Sequence, residues 1–209
     1  MELFGPATVL YFREKDFTEE LKTELIRKSI HILIALVPLI ASLLGATFTL
    51  ALLAGGVLFY SYAEYQRTQG RSIPLITRIT YAAARRTDKE GIILGPITLG
   101  IGAMVSLLLY PAPASIIAIY ALAFGDSISS IAGKLFGRST FPFLKGKTLE
   151  GSFACFILVF FLTYRLIGTP ISSLVIAGIA TALEAIPVKD LDNIILPMGS
   201  GFAASLFLA

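Results

Sequence analysis

Charge is scarce in this sequence. There are 17 Lys and Arg and 14 Asp and Glu among 209 residues, or 15% charged against 56% hydrophobic, with a mean hydropathy of +0.80. So few charges cannot clothe a soluble domain, and a bilayer is the implied solvent. Cysteine occurs once. Cys155 lies in an apolar run, which excludes an internal disulfide and a Cys-based metal site and leaves a small core hydrophobe. No dense Lys/Arg run interleaved with aromatics is present, so the net charge of +3 does not point to nucleic acid. The P-loop pattern and the Gly-rich loop of protein kinases are missing as well, so any nucleotide would have to be bound by the membrane domain itself. The opening MELFGPATVLYF carries an acid at position 2 and no basic n-region, so it is expected to lie on the membrane or the bundle rather than to act as a signal peptide.

What is abundant is apolar length. A span needs about 20 predominantly apolar residues. Seven such stretches are expected near 29–45, 46–65, 91–110, 113–133, 151–168, 170–187 and 193–209. The expected fold is therefore all-α, a polytopic transmembrane helix bundle of about seven spans. Six is the alternative, because Glu184, Pro187 and Pro197 interrupt the last two stretches. Seven spans place the N-terminus and segments 66–90, 134–150 and 188–192 on one side. Of the 17 Lys and Arg only Arg165 falls on the other side, so the N-terminus and the charged face are expected to be cytoplasmic, in a multi-pass protein of the cell membrane. The acids crowd the same face. That rule counts only Lys and Arg, and short opposite links explain the acids in part; ionisable groups at membrane depth point to function.

Residues 1–28 alternate acids and bases (Arg13, Glu14, Lys15, Asp16, Glu19, Glu20, Lys22, Glu24) around Phe17, Leu21 and Leu25, an amphipathic N-terminal segment. Residues 29–209 form a single transmembrane domain. Within it, segment 66–90 carries Arg67, Arg71, Arg78, Arg85, Arg86 and Lys89 with Ile73, Ile76, Ile79 and Ala83 at helical spacing. It is expected to be an interfacial helix on anionic lipid, and its basic face could alternatively help hold a triphosphate.

The most informative run is AFGDSISSIAGKLFGR, residues 123–138. Asp126 among apolar neighbours is costly unless paired, hydrated or bound to a cation. Gly125, Ser129, Gly133 and Gly137 recur every four residues, a narrow face that another helix or a bulky anion can approach. Lys134 and Arg138 on the same run favour a site for a cation and phosphates. In FLKGKTLEGS, Lys145 and Lys147 precede a helix start at Thr148, where backbone N–H groups and the helix dipole favour an anion. Glu150 there either compensates the dipole or ligates Mg²⁺. Glu24, Lys28 and His31 form one helical stripe. His31, the only histidine, is either structural or a phosphate and proton partner. Glu64 and Arg67 read as a local ion pair. Glu184 ends the sixth span, and Asp192, with Asn193, opens the seventh, where Asp192 also reads as a plain N-cap.

These residues resemble the membrane polyprenol kinases, the family of phytol kinases, dolichol kinases and CTP-dependent diacylglycerol kinases. Four patches in chain order carry the resemblance. They are E-x-x-RK-x-x-H (Glu24, Arg27, Lys28, His31), the glycine run with Gly125, Asp126, Gly133, Lys134, Phe136 and Gly137, K-T-x-E-G-S (Lys147 to Ser152), and E-A-x-P followed by D-N-x-x-x-P (Glu184, Pro187, Asp192, Asn193, Pro197). Around 66–90 only Glu90 before Gly91 matches. The resemblance implies that 29–209 is a catalytic domain moving the γ-phosphoryl group of a nucleotide, typically CTP, to a polyprenol-type lipid alcohol such as phytol, geranylgeraniol or dolichol, with Mg²⁺. It implies metal-binding roles for Asp126 and Glu150, phosphate or nucleotide roles for Lys28, Gly125, Gly133, Lys134, Arg138, Lys147 and Thr148, and nucleotide support from Asp192 and Asn193. The base could be Asp126, Glu184 or His31. Phosphoryl transfer needs chiefly positioning and charge neutralisation, which these residues can supply. Lipid would reach the site sideways between helices, with the small-residue seam at Gly133 one such place. The alternatives are a cytidylyltransferase forming a CDP-lipid and, from another class, a proton-coupled transporter with its site near the midplane.

Overall fold

The computed structural model describes residues 6–84, 91–140 and 146–208, with side chains from Phe17 onward. Arg85, Arg86, Lys89, Glu90 and Lys145, and the side chains of Arg13 to Asp16, lie outside the described residues. All regular structure among the described residues is helical. The helices are α1 (Pro6–Leu33), α2 (Val37–Leu44), α3 (Ala46–Thr68), α4 (Pro74–Ala83), α5 (Gly95–Leu109), α6 (Ala114–Tyr120), α7 (Asp126–Phe136), α8 (Leu149–Ile167), α9 (Pro170–Ala185) and α10 (Asp192–Leu208). A 3₁₀ turn, Ile34–Leu36, joins α1 to α2, and a π turn, Ala121–Gly125, joins α6 to α7.

Four helical runs are long and apolar enough to cross a bilayer: Phe17–Leu44, Ala46–Thr68, Ala114–Phe136 and Leu149–Ile167. At 1.5 Å per residue, 19 to 28 residues reach about 28–42 Å, matching a hydrocarbon core of about 30 Å. The shorter apolar helices α5, α9 and α10 have 15, 16 and 17 residues. They supply much of the interior, where Ala103, Ser106, Ser173, Ala177, Ala180, Ser200 and Ala204 are fully buried, while Leu43, Phe48, Leu58, Phe161 and Ile171 point outward and are exposed. Small residues inside and large apolar ones outside is the arrangement of a bundle that packs backbone to backbone in lipid.

The ends of the elements follow from local chemistry. No glycine or proline occurs between Ala7 and Val37, so the amphipathic segment and the first span are one continuous helix rather than two units meeting near residue 28. Gly45 (φ 87°) separates α2 from α3. Gly168, in the left-handed region at φ 73°, ends α8, and its N–H donates to the carbonyl of Tyr164. Pro170 then opens α9. On α5, a Cβ at Gly102 would collide with the carbonyl oxygen of Asn193, so α5 and α10 approach backbone to backbone just where Pro197 interrupts the α10 ladder. Tyr110 seals that contact by donating to the Met198 carbonyl at 2.7 Å.

The basic segment after α3 does not form one uninterrupted interfacial helix. α3 continues to Thr68, Gly70 turns the chain at φ 78°, and α4 returns against α1 and α3. Arg71 and Arg78 are exposed. Glu64 and Arg67 do pair, with Arg67 Nε 2.5 Å from Glu64 Oε1. Glu64 Oε2 also accepts from the Ile93 N–H at 3.1 Å, and Arg67 donates to the Tyr81 hydroxyl at 3.2 Å and to the Gly91 carbonyl. One ion pair thus ties α4 and the approach to α5 onto α3.

Candidate functional site

The helical period of the unbroken α1 sets Glu24, Arg27, Lys28 and His31 on one stripe, and α7 packs against this helix. The π turn before α7 delivers Asp126 to that stripe as the first residue of α7. Lys28 Nζ donates to Asp126 Oδ2, and His31 Nδ1 lies 3.1 Å from the same oxygen. Lys28 is 1% exposed, His31 4% and Asp126 3%. An isolated ion buried this deeply costs several kcal/mol or more, so each charge depends on the other.

Two further pairs flank this group. Lys134, in the last turn of α7, lies with Nζ 3.4 Å from Glu24 Oε2, while Glu24 Oε1 takes Arg27 at 2.5 Å. Lys147 donates to Glu184 Oε1, joining the loop before α8 to the last turn of α9. Glu184 is 1% exposed, and its Oε2 has no hydrogen-bond partner among the described residues. Thr148 is the N-cap of α8, its hydroxyl accepting from the Gly151 N–H at 3.1 Å.

These pairs border an open polar cavity of about 830 Å³, lined by Asp126, Lys134, Lys147 and Asp192 together with Glu24 and Arg27. A recess of about 140 Å³ at the start of α8 is lined by Gly133, Thr148, Lys147 and Glu184. The main volume falls within the range of about 300–1,000 Å³ that holds one small molecule. Every lysine named here is held by a carboxylate. Such a pair can exchange both partners at once, the lysine for a phosphate and the carboxylate for a divalent cation.

Other expected site residues stand elsewhere. Glu150 Oε1 accepts from the backbone N–H groups of Arg138 and Ser139, each at 3.1 Å, so it fastens the turn after α7 and does not line the cavity. The Arg138 side chain is exposed and also off the cavity. Asn193 is buried against α5, its amide donating to Thr98 Oγ1 at 3.0 Å and to the Gly95 carbonyl at 3.3 Å. Gly125 faces Val159 and Cys155 of α8. The small-residue face of α7 is filled by the start of α8. A Cβ at Gly133 would lie 2.8 Å from Thr148 Oγ1, and one at Gly151 would lie 2.6 Å from the Ser129 carbonyl oxygen. That seam is helix packing and leaves no room for lipid.

Mg²⁺, implied by the family resemblance, would meet oxygen donors here. Asp126, Asp192 and Glu24 line the cavity, yet among the described residues no group of three or more His, Cys, Asp or Glu could hold a metal unaided. That donor set fits an ion bound by one or two carboxylates and shared with phosphates. Were it bound there, Asp126 and Asp192 would be the carboxylates to hold it.

Two curated proteins match the chain. The probable chloroplastic phytol kinase of Triticum aestivum is 28% identical over 143 residues, covering 60% of this chain and 48% of the relative. The chloroplastic phytol kinase 1 of Arabidopsis thaliana is 25% identical over 155 residues, covering 66% of this chain and 51% of the relative. These matches support a relationship to the phytol and polyprenol kinases. The chain spans about half the length of the phytol kinases it matches. No family model matches the chain, and no solved structure matches it. Set beside this kinase relationship, the cavity also holds residues that were not singled out as site residues from the sequence. Arg27 and Glu24 belong to the α1 stripe, and the signal was there in the helical period that picks out Lys28 and His31. Lys189 and Ser130 also line the cavity. Nothing in the local sequence distinguishes Lys189 from a solvated link residue.

Proposed function

We propose that the protein is an integral-membrane lipid kinase transferring the γ-phosphoryl group of a nucleotide, CTP by the habit of the family it resembles, to the hydroxyl of a polyprenol-type alcohol. The observation that carries this reading is one polar cavity at the helix ends of a membrane bundle, lined by Lys134, by Lys147 and by Asp126, the carboxylate that takes the buried Lys28. The names of the two matching proteins support the acceptor class.

In this reading Lys134, Lys147 and Arg27 hold phosphate oxygens. Asp126 is oriented by Lys28. Asp192, with Asp126, would hold Mg²⁺, which supplies neutralisation of the charge that spreads over the transferring phosphoryl group. α5, α9 and α10 also cross the bilayer, giving seven crossings, and the cavity opens on the Lys/Arg-rich, cytoplasmic side together with the N-terminus.

The test is the protein in lipid nanodiscs with Mg²⁺, γ-labelled CTP, ATP or UTP, and a panel of phytol, geranylgeraniol, dolichol and diacylglycerol. Label entering the organic phase with a prenol is the expected result. No transfer to any alcohol from any nucleotide overturns the reading.

A further inference from the structure

A second cavity, of about 540 Å³, opens between α1, α3, α4 and the start of α5. Its character is the opposite of the first. Ile30, Phe59, Ile93 and Leu99 line it, and α4 contributes Ile76, Ile79, Thr80 and Ala83, which at i, i+3, i+4 and i+7 form one helical face. Two of its walls, Leu33 and Phe59, are 62% and 56% exposed on the outward surface of the bundle, so the cavity is reached from the lipid side. Arg27, Ala84 and Lys189 line both cavities, so the two adjoin along that edge. The boundary is chemically specific. His31 lines the apolar cavity, Asp126 lines the polar one, and the two side chains are 3.1 Å apart.

We infer that the apolar cavity holds the single isoprenoid tail of the acceptor alcohol, with the hydroxyl at His31. The inference rests on the lipid-kinase reading above and adds the acceptor site and the residue that meets the alcohol. One continuous apolar chamber of this size takes one chain of a lipid alcohol, with its polar head at the only histidine of the sequence and its other end toward lipid. α4 is the wall that sets which tails fit, and the Glu64 and Arg67 pair holds that wall through Tyr81 and the backbone at Gly91 and Ile93. It also selects among the three candidate bases. Asp126 lines the polar cavity and Glu184 its adjoining recess, and of the three His31 alone lines the chamber of the alcohol. The alcohol proton passes to the His31 imidazole as the oxygen–phosphorus bond forms. The bond from the γ-phosphorus to its bridging oxygen breaks, and that electron pair leaves with the nucleoside diphosphate. Asp126 stabilises the imidazolium.

The experiment uses the full chain in nanodiscs and two readouts. Photocrosslinking of a geranylgeraniol carrying a diazirine on its tail, without nucleotide, reports the site directly. Label on α3, α4, residues 30–33 and residues 92–96 is expected, and label confined to helices that do not line the cavity overturns the inference. In γ-labelled CTP assays, Ala83→Trp, which fills the chamber, is expected to raise KM for geranylgeraniol by about tenfold, leave KM for CTP within about twofold, and spare the shorter geraniol. An unchanged KM for geranylgeraniol overturns the inference. Ile79→Ala, which enlarges the chamber and guards against misfolding of the Trp variant, is expected to weaken discrimination between the two prenols, and unchanged discrimination counts against the site. Crosslinking at α4 with no transfer to any alcohol would sink the kinase reading and leave the binding site standing. Transfer with crosslinks elsewhere would do the reverse.

Discussion

Lys28 and Asp126 are 98 positions apart and share one hydrogen bond between buried side chains. Removing one member of such a pair costs about 3–5 kcal/mol, whereas replacing both with apolar residues of similar size is often neutral or stabilising. That asymmetry separates folding from function. Asp126→Asn is expected to lower both thermal stability and kcat, the latter by about 100-fold or more. The double variant Lys28→Met, Asp126→Leu is expected to regain stability and remain inactive, and turnover in the double variant would show that the pair is only structural. Lys134 gives a gentler test, because Glu24 keeps Arg27 when Lys134 is lost. Lys134→Ala is expected to raise KM for CTP by about tenfold with an unchanged Tm. Asn193→Ala should do the opposite. It breaks the bonds to Thr98 and Gly95, so a loss of about 1–3 kcal/mol in stability is expected with KM for CTP unchanged. At this scale the α1 stripe is legible in the sequence because the helical period alone groups Glu24, Lys28 and His31. The destinations of Asn193 and Glu150 are not, because a helix-end amide or carboxylate looks the same whether its partner is a nucleotide or a neighbouring backbone.

Among elements, α1 and the pair α7 and α8 determine the site. A helix with no glycine or proline from Ala7 to Val37 carries the charged N-terminal segment straight into the bundle, and that continuity is what brings Arg27 to the cavity and Lys28 to Asp126. Splitting it into a surface segment and a span follows from the change in composition near residue 28, which the backbone does not register. The glycine run of α7 is legible as a close-packing face, but its partner is not. Gly133 meets Thr148, and Gly151 meets Ser129, so the seam fixes the start of α8 against α7. Gly133→Leu is expected to destabilise the protein by about 1–3 kcal/mol through overpacking, lowering Tm and activity together. A variant with wild-type Tm and selectively lost lipid turnover would instead make the seam a lipid site. α4 is the element least legible in advance. Its basic and apolar pattern suits a headgroup-facing helix, yet Glu64 and Arg67 draw its apolar face over a cavity, a tertiary constraint that no local pattern carries.

For the whole molecule, apolar length alone anticipates a helical membrane bundle, because lipid demands helices whose backbone groups are satisfied internally. The inversion of size, with alanine and serine inside and leucine and phenylalanine outside, comes from packing without a hydrophobic force between helices. The one-sided charge acquires a structural meaning, since the acids Glu24, Asp126, Glu184 and Asp192 border one cavity and its adjoining recess. Sidedness can be read with thiol labelling, because the one native thiol, Cys155, is fully buried. Ser139→Cys is expected to react from the cytoplasmic side and Thr169→Cys from the opposite side; both reacting from the same side would remove the seven-crossing topology. The most direct measurement of the central claim follows each phosphorus of CTP separately, with Mg²⁺ and geranylgeraniol or its monophosphate as acceptor. A kinase is expected to carry the γ-label, and none of the α-label, into the lipid alcohol. α-Label entering the phosphorylated lipid with release of pyrophosphate, or no label entering either lipid, would contradict it.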